Sequence, residues 1–497
     1  MADHSADVIV VGGGNAALAA ALAAHEQGAR VLVLEAAPEA ERGGNSSYTG
    51  GAVRMVYENV GHLREVMPEL SAEEERTSEF GTYSAVDYFD DMARLTRYRA
   101  SPELVEILIE RSRPTLAWMR RQGVRFQPSY HRQAFKMDGR FKFWGGLAVE
   151  TWGGGPGLVE AWYKAAQTAG ITVHYGTRAQ TLERDESGVR SVVARVGGRT
   201  VRFVGKCVVL ACGGFEANAE WRARYLGPGW DLAKVRGTRH NQGDGIRMAL
   251  DIGALPFGHW SGCHAVGWDR NAPDFGDLNV GDGFQKHSYP FGLLINARGE
   301  RFVDEGADFR NYTYAAYGRA ILEQPGQFAW QVFDARAQPL LRGEYRIKQV
   351  TRVRADTLQE LALKLEDVDA AAFLRTVRAF NAAVKADVPF NPNVKDGRGT
   401  VGLAIPKSNW ANPLDTPPFE AYAVTCGITF TFGGVRIDRA ARVLDPAEQP
   451  IPGLYAAGEL VGGLFYFNYP GGTGLVSGAV FGRIAGTEAA HYVRTLA

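Results

Sequence analysis

The chain has 497 residues, with 55 Lys+Arg against 55 Asp+Glu, 45% hydrophobic and 22% charged residues. That length predicts two domains or more; the composition excludes a mainly disordered chain, and the absence of a basic field argues against nucleic acid as a partner. With no run near the ~20 apolar residues that span a bilayer, no basic signal region at the start, and four cysteines (Cys207, Cys212, Cys263, Cys426) in neither CxxC nor zinc spacing, a reduced cytoplasmic chain without a membrane span or bound metal is expected.

The unusual figure is 60 glycines, about 12% against a typical ~7%, and they gather beside apolar runs. Residues 7–11 are a β-branched run that predicts a buried parallel strand. It enters Gly12-Gly13-Gly14-Asn15-Ala16-Ala17, then an Ala/Leu-rich helix to about residue 27, and a second strand at 30–34 that ends on Glu35. In this G-x-G-x-x-A unit Gly12 permits the tight turn, Gly14 lets backbone amides approach a pyrophosphate, and Ala17 allows close helix–strand packing. The helix N-terminus carries partial positive charge. Glu35 can accept hydrogen bonds from both ribose hydroxyls. A lone G-x-G-x-x-A is weak evidence; with both strands and the acid at this spacing it points to an adenine dinucleotide.

Small and hydroxylated residues follow, in Arg42-Gly43-Gly44-Asn45-Ser46-Ser47-Tyr48-Thr49-Gly50-Gly51. Residues 57–170 are helical in pattern, with clear periods at 102–121 and 156–169. The aromatic stretch 135–144, with Trp152 beyond, reads as core and lid packing rather than as a pocket wall. Strands are expected at 172–174, 189–196, 201–204 and 207–210, with Gly197-Gly198 as a hairpin turn. Between 269 and 428 the βαβ signals thin out, and a helix is expected near 370–385.

Four later motifs recur in order: Ala211-Cys212-Gly213-Gly214, Gly243-Asp244-Gly245, Ala457-Gly458-Glu459, and Gly471-Gly472-Thr473-Gly474-Leu475. With the Gly-Gly-Asn-Ser loop, they make the sequence resemble the fumarate reductase/succinate dehydrogenase flavoprotein superfamily over nearly its whole length. The resemblance implies an α/β fold: a Rossmann-like FAD-binding domain built from residues 1–268 and 429–497, with an α+β capping domain inserted at 269–428. It implies FAD held by Gly12, Gly14, Asn15, Ala16 and Ala17, by Glu35 and Ala36, and by Arg42, Gly43, Gly44, Asn45, Ser46, Thr49, Gly50 and Gly51. Ala211, Gly213, Gly214, Asp244, Gly458, Glu459, Gly474 and Leu475 complete that set. Family members with covalent FAD use a histidine in the 43–51 loop. None stands here, so noncovalent FAD is expected, with electrons passing to an external acceptor or oxygen.

Hydride transfer must be matched by proton removal at the neighbouring carbon, so a site needs a polarising group and a base. The resemblance puts His264 at the family's substrate-binding histidine and Arg310 at its proton-shuttling arginine. A guanidinium loses its proton only above about pH 12, so a relay through Arg301 and Glu305, or a low-dielectric cap, is expected to assist it. Two positions depart from the family. Thr429-Phe430-Thr431 replaces a carboxylate-binding histidine with Phe430, and Tyr469-Pro470-Gly471-Gly472 replaces an arginine clamp with a phenol. Fumarate and succinate are therefore unlikely substrates.

Arg54, Thr429, Phe430 and Gly472 are expected at the substrate. His131, Arg132, Lys136, Lys142 and His287 read better as solvated charges. The expected activity is desaturation next to a carboxylate or carbonyl, of the kind the resemblance to the tricarballylate dehydrogenase group implies. Its alternatives are a ketone-activated desaturase of 4-oxocyclohexanecarboxylate or 3-ketosteroid type, as Tyr-Pro-Gly-Gly suggests, and an enoate or fumarate-type reductase. In the ketone version Tyr469 polarises the carbonyl. A second tyrosine (Tyr48, Tyr130, Tyr312 or Tyr314) then serves as base, its pKa brought down from about 10 by Arg310.

Overall fold

The computed structural model describes residues 4–186 and 188–496. Along the chain the elements that position the site are strand β1 (Val8–Val11), helix α1 (Asn15–Glu26), β2 (Val31–Leu34), α2 (Pro102–Arg121), α3 (Gly154–Thr168) and β3 (Thr172–His174). A three-stranded meander follows, β4 (Thr177–Asp185), β5 (Gly188–Val196) and β6 (Arg199–Val204), and then β7 (Cys207–Leu210), β8 (Pro256–Asp269) and β9 (Leu293–Ile295). The last third supplies α4 (Arg310–Leu322), β10 (Phe328–Phe333), β11 (Phe419–Val435), β12 (Arg442–Leu444), β13 (Pro450–Ala456) and α5 (Thr473–Thr495).

The first sheet has the order β12-β13-β7-β1-β2-β3 and is parallel except for the β12–β13 pair. Strand β1 is buried along its whole length, as a strand covered on both faces must be. Because β13 pairs with β7, the chain's two ends build one nucleotide fold. Helix α1 lies under α5 with alanines and glycines at the contact. A Cβ on Gly482 would stand 2.4 Å from the Ala16 carbonyl oxygen, and one on Gly486 2.0 Å from that of Ala20, so the two backbones meet at a distance only glycine allows.

The second sheet centres on β11, which carries β8, β10 and the short strands Lys234–Val235 and Arg352–Ala355; β9 extends it through β10. The edges expected at 268/269 and 428/429 fall inside β8 and β11. These strands pair antiparallel with His264 opposite Phe430 and Trp268 opposite Thr425.

Several expectations need adjustment. The segment 57–170 does contain α2 and α3, but five short strands interrupt it. Two of them, Ala134–Met137 and Arg140–Phe143, form a hairpin around Asp138 and Gly139, both at positive φ. Asp-Gly between alternating aromatics is a hairpin signal that a helical reading passes over. Strand β4 escaped notice because its sequence is mostly polar; only Thr177, Ala179 and Leu182 are buried. The helix expected near 370–385 is Ala370–Ala383.

Candidate active site

A cleft enclosing about 1830 Å³, its open mouth included, runs from the end of β1 to the second sheet.

At the nucleotide end Gly12 has φ +113°, and a Cβ there would lie 2.3 Å from the Ala211 carbonyl oxygen. The first turn of α1 is tied down on three sides. The Asn15 N–H donates to Ser46 Oγ (3.0 Å), its amide donates to the Leu475 carbonyl (2.8 Å), and Trp162 donates to its Oδ1 (2.9 Å). Glu35 closes β2, accepts the Ala37 N–H at 2.7 Å, and is pushed up to about 7 by burial. A buried carboxyl facing the cleft without a cation, beside a helix N-terminus, suits ribose hydroxyls and a pyrophosphate. The residues fit FAD.

In the middle, Asn45 ties its loop to β11 and to the segments at Glu216 and Thr238. Its amide donates to the Thr429 carbonyl (2.6 Å) and to Glu216 (2.7 Å), while its Oδ1 accepts the Thr238 N–H (2.9 Å). Glu459 accepts the Thr431 N–H at 2.8 Å and is hydrogen-bonded to Glu216. Burial, together with the neighbouring carboxyl, holds Glu459 well above the usual carboxylate range.

At the far end two phenols meet, Tyr314 Oη and Tyr469 Oη at 2.5 Å. His264 packs edge-on against both, with centroids at 5.0 and 4.9 Å, and lies beside Phe430. Burial holds the His264 imidazole neutral, and neither ring nitrogen has a partner among the described residues. Arg310 opens α4. Its Nη2 donates to the Arg132 carbonyl (2.7 Å) and its Nη1 lies 3.1 Å from His287 Nδ1. Burial, with Arg132 nearby, lowers its pKa from the usual guanidinium value. Arg132 and Arg236 both pair with Asp282, at 2.9 and 2.7 Å. Two guanidinium groups thus share one carboxylate in the cleft wall, and the third, Arg310, stands on His287 and the Arg132 carbonyl.

Most expected residues line this cleft: Gly12, Gly14, Asn15, Ala16, Glu35, Ala36, Gly44, Asn45, Ser46, Thr49 and Gly50 at one end, and Ala211, Gly213, Asp244, Gly458, Glu459, Gly474 and Leu475 along it. His264, Arg310, Thr429, Phe430, Tyr469 and Gly472 stand at the other end. Ala17, Gly43, Gly51 and Gly214 lie behind the lining. Arg42 points away, to Glu39 and Glu160. Arg54 needs the plainest correction. It is fully buried outside the cleft, donates to the carbonyls of Gly471 (2.8 Å) and Gly145 (2.9 Å), and lies 3.8 Å from Asp91. It props the turn beneath Gly472 and does not face a ligand.

The expected relay is also different. Glu305 is engaged by Arg301 (3.1 and 2.5 Å) and by the Leu294 N–H, while Arg310 turns to His287. Of the four candidate tyrosines, Tyr48 and Tyr314 line the cleft and Tyr314 meets Tyr469, whereas Tyr130 bonds Ser78 and Tyr312 bonds Asp91. Arg310 does favour ionisation of Tyr314, but burial outweighs it and the net shift is upward. His287 and Arg132, read as solvated charges, line the cleft; Arg236, Asp282 and Gln285 carried no motif. An alternation signal was available. In the extended stretch 285–287, Gln285 and His287 face the cleft while Lys286 bonds the carbonyls of Gly283, Phe284 and Gln285 on the other side.

The family model described as an FAD binding domain matches residues 7–475. A probable fumarate reductase, Ifc3, of Shewanella frigidimarina is 30% identical over 98% of this chain and 75% of its own length. The open conformation of a flavocytochrome c3 fumarate reductase superposes with a TM-score of 0.73 at 27% identity, covering 99% of this chain and 79% of that one. A 3-ketosteroid delta1-dehydrogenase from Sterolibacterium denitrificans has the same fold, with a TM-score of 0.74 at 22% identity over 98% and 100% of the two chains. Among the described residues no helix is long and apolar enough to cross a membrane.

Proposed function

The chain belongs to the FAD-binding fumarate reductase/succinate dehydrogenase flavoprotein superfamily, and from that premise we propose that it desaturates a small acid carrying an oxo group, at the C–C bond next to that group. It is an FAD-dependent oxidoreductase acting on carboxylate or ketone substrates at a C–C or C=C bond. Bound FAD supplies a two-electron acceptor beside the substrate. The observation that carries the finer reading is the Tyr314–Tyr469 pair, which stands in one cleft with Arg310.

The two ends of the substrate space differ in chemistry. Arg132, Arg236 and Arg310 outnumber Asp282, so an anionic group is favoured there. Around Tyr469 the walls are Phe430, Phe465 and neutral His264, so a phenol O–H can donate to a carbonyl oxygen without a competing charge. Such a donor stabilises the enolate-like charge that develops as the α-proton leaves. Burial and the neighbouring Arg132 raise the fraction of Arg310 that has already lost its proton to solvent, and that neutral form is placed to take the α-proton and become the guanidinium seen at rest.

A polycarboxylate of tricarballylate type is the second reading, favoured by the guanidinium surplus. A panel of tricarballylate, succinate, 4-oxocyclohexanecarboxylate and a 3-ketosteroid with a dye acceptor decides between them. The oxo acid should be turned over fastest; turnover of tricarballylate with none of the oxo acid would overturn the first reading. Reduction of the unsaturated acid by reduced dye, with no forward turnover, would assign the reverse direction.

A further inference from the structure

We propose that His287 works at the reacting end in two ways: its Nε2–H donates to a substrate oxygen, and its Nδ1 holds the Arg310 guanidinium in place. This rests on the desaturase reading above and adds to it a residue that none of the motifs contains.

The contact itself fixes the tautomer. A guanidinium has five donors and no acceptor, so the 3.1 Å contact between Arg310 Nη1 and His287 Nδ1 requires that Nδ1 accept. The ring proton must then sit on Nε2. That nitrogen is buried in the cleft lining and has no hydrogen-bond partner among the described residues. An unpaired buried N–H is costly, and an acceptor on a bound ligand would recover that cost. The ring cannot readily take a second proton. It is buried, and Arg310, Arg236 and Arg132 all disfavour its charged form.

His287 is therefore a donor whose state does not follow pH, unlike an ordinary histidine. The alternation described above supplies its rigidity. Lys286, anchored on three carbonyls on the opposite side, fixes the backbone from which His287 projects. Tyr314 packs edge-on against the ring, with centroids at 4.9 Å. One imidazole thus adjoins both the arginine and the tyrosine pair, and loosening it should disturb proton removal and substrate binding together.

The test uses the holoenzyme and three readouts. His287→Phe keeps the ring volume and should keep its flavin content. It should weaken binding of the unsaturated acid, read from perturbation of the flavin absorbance, by about 10-fold or more, and lower kcat by about 100-fold as Arg310 loses its orientation. Wild-type affinity and kcat in that variant would overturn the proposal. Should the phenylalanine variant lose its flavin, His287→Ala with added imidazole replaces it: restored turnover supports the proposal, and a flavin-loaded variant that imidazole does not rescue overturns it. The third readout needs no substrate. Nitrogen-15 NMR of the His287 ring should show the neutral Nε2–H form across pH 6–8, and an Nδ1–H or protonated ring would overturn the proposal. A wild-type enzyme that binds no acid or ketone would sink the desaturase reading, while this measurement still judged the Arg310–His287 contact.

Discussion

The two ends of the cleft are built by opposite strategies. The nucleotide end is largely contiguous, since the first turn, helix α1 and Glu35 all come from residues 12–35 on β1, β2 and β7 in register, with Ser46, Trp162 and Leu475 tying down the turn. The reacting end draws on residues near 132, 236, 264, 282–287, 310–314, 429–432 and 465–472, brought together by the pairing of β8 with β11 and by the start of α4. Their electrostatics differ as well. At the first end a lone carboxyl is buried without a cation among the described residues; at the second, Arg132 and Arg236 share Asp282, and Arg310 stands nearby on His287 beside neutral aromatic rings. A contiguous end can hold a ligand shared by many proteins, while an assembled end can change its chemistry by single substitutions, at positions such as 430 and 469.

Four measurements would break or sharpen that contrast. The largest effect is expected for Arg310→Ala, which should lose about 10³-fold in turnover while binding FAD normally; retained activity would remove the arginine from the reaction. Arg54→Met should cost about 2 kcal/mol of stability in urea unfolding, because it takes the side-chain donor from the Gly471 carbonyl and one of two cations from Asp91, which keeps Arg94. An unchanged midpoint would return Arg54 to the list of ligand contacts. Tyr469→Phe should lower kcat/KM about 100-fold for oxo acids and much less for polycarboxylates. Equal losses would reject the carbonyl-polarising role.

The smallest effect belongs to the nucleotide end. Burial raises Glu35 from 4.5 to about 7, so in the FAD-free protein it is protonated below that pH. The free protein loses stability as pH rises from about 4.5 to 7, because the unfolded chain ionises first. Ribose hydroxyls favour the carboxylate, so FAD affinity should rise about tenfold between pH 6 and 8. The slope should vanish in Glu35→Gln, and a flat wild-type profile would deny Glu35 that contact. Acid precipitation of the same samples should leave the flavin in the supernatant.

Legibility follows the same division. The strand–turn–helix–strand unit could be read because its signals are local: β-branched runs, a turn that only Gly12 can make, and an acid at fixed spacing. His264, Arg310 and Tyr469 were found through the order of motifs. Arg54 was misplaced and His287 dismissed because a charged side chain in a sequence carries no mark of its burial. Arg54 and His287 are equally polar as letters, yet one props the turn at Gly471 and the other faces the cleft.

The sequence by itself determined the dinucleotide turn and the return of the chain's end to the first sheet. Tertiary structure alone decided that Tyr314 meets Tyr469, that Arg310 turns to His287 rather than to Glu305, and that the aromatic stretch at 135–144 lies outside the cleft. The reason is physical: a turn or a strand is set by neighbouring backbone dihedrals, whereas a partner across the fold is set by strand register and by which side of an extended segment each residue occupies.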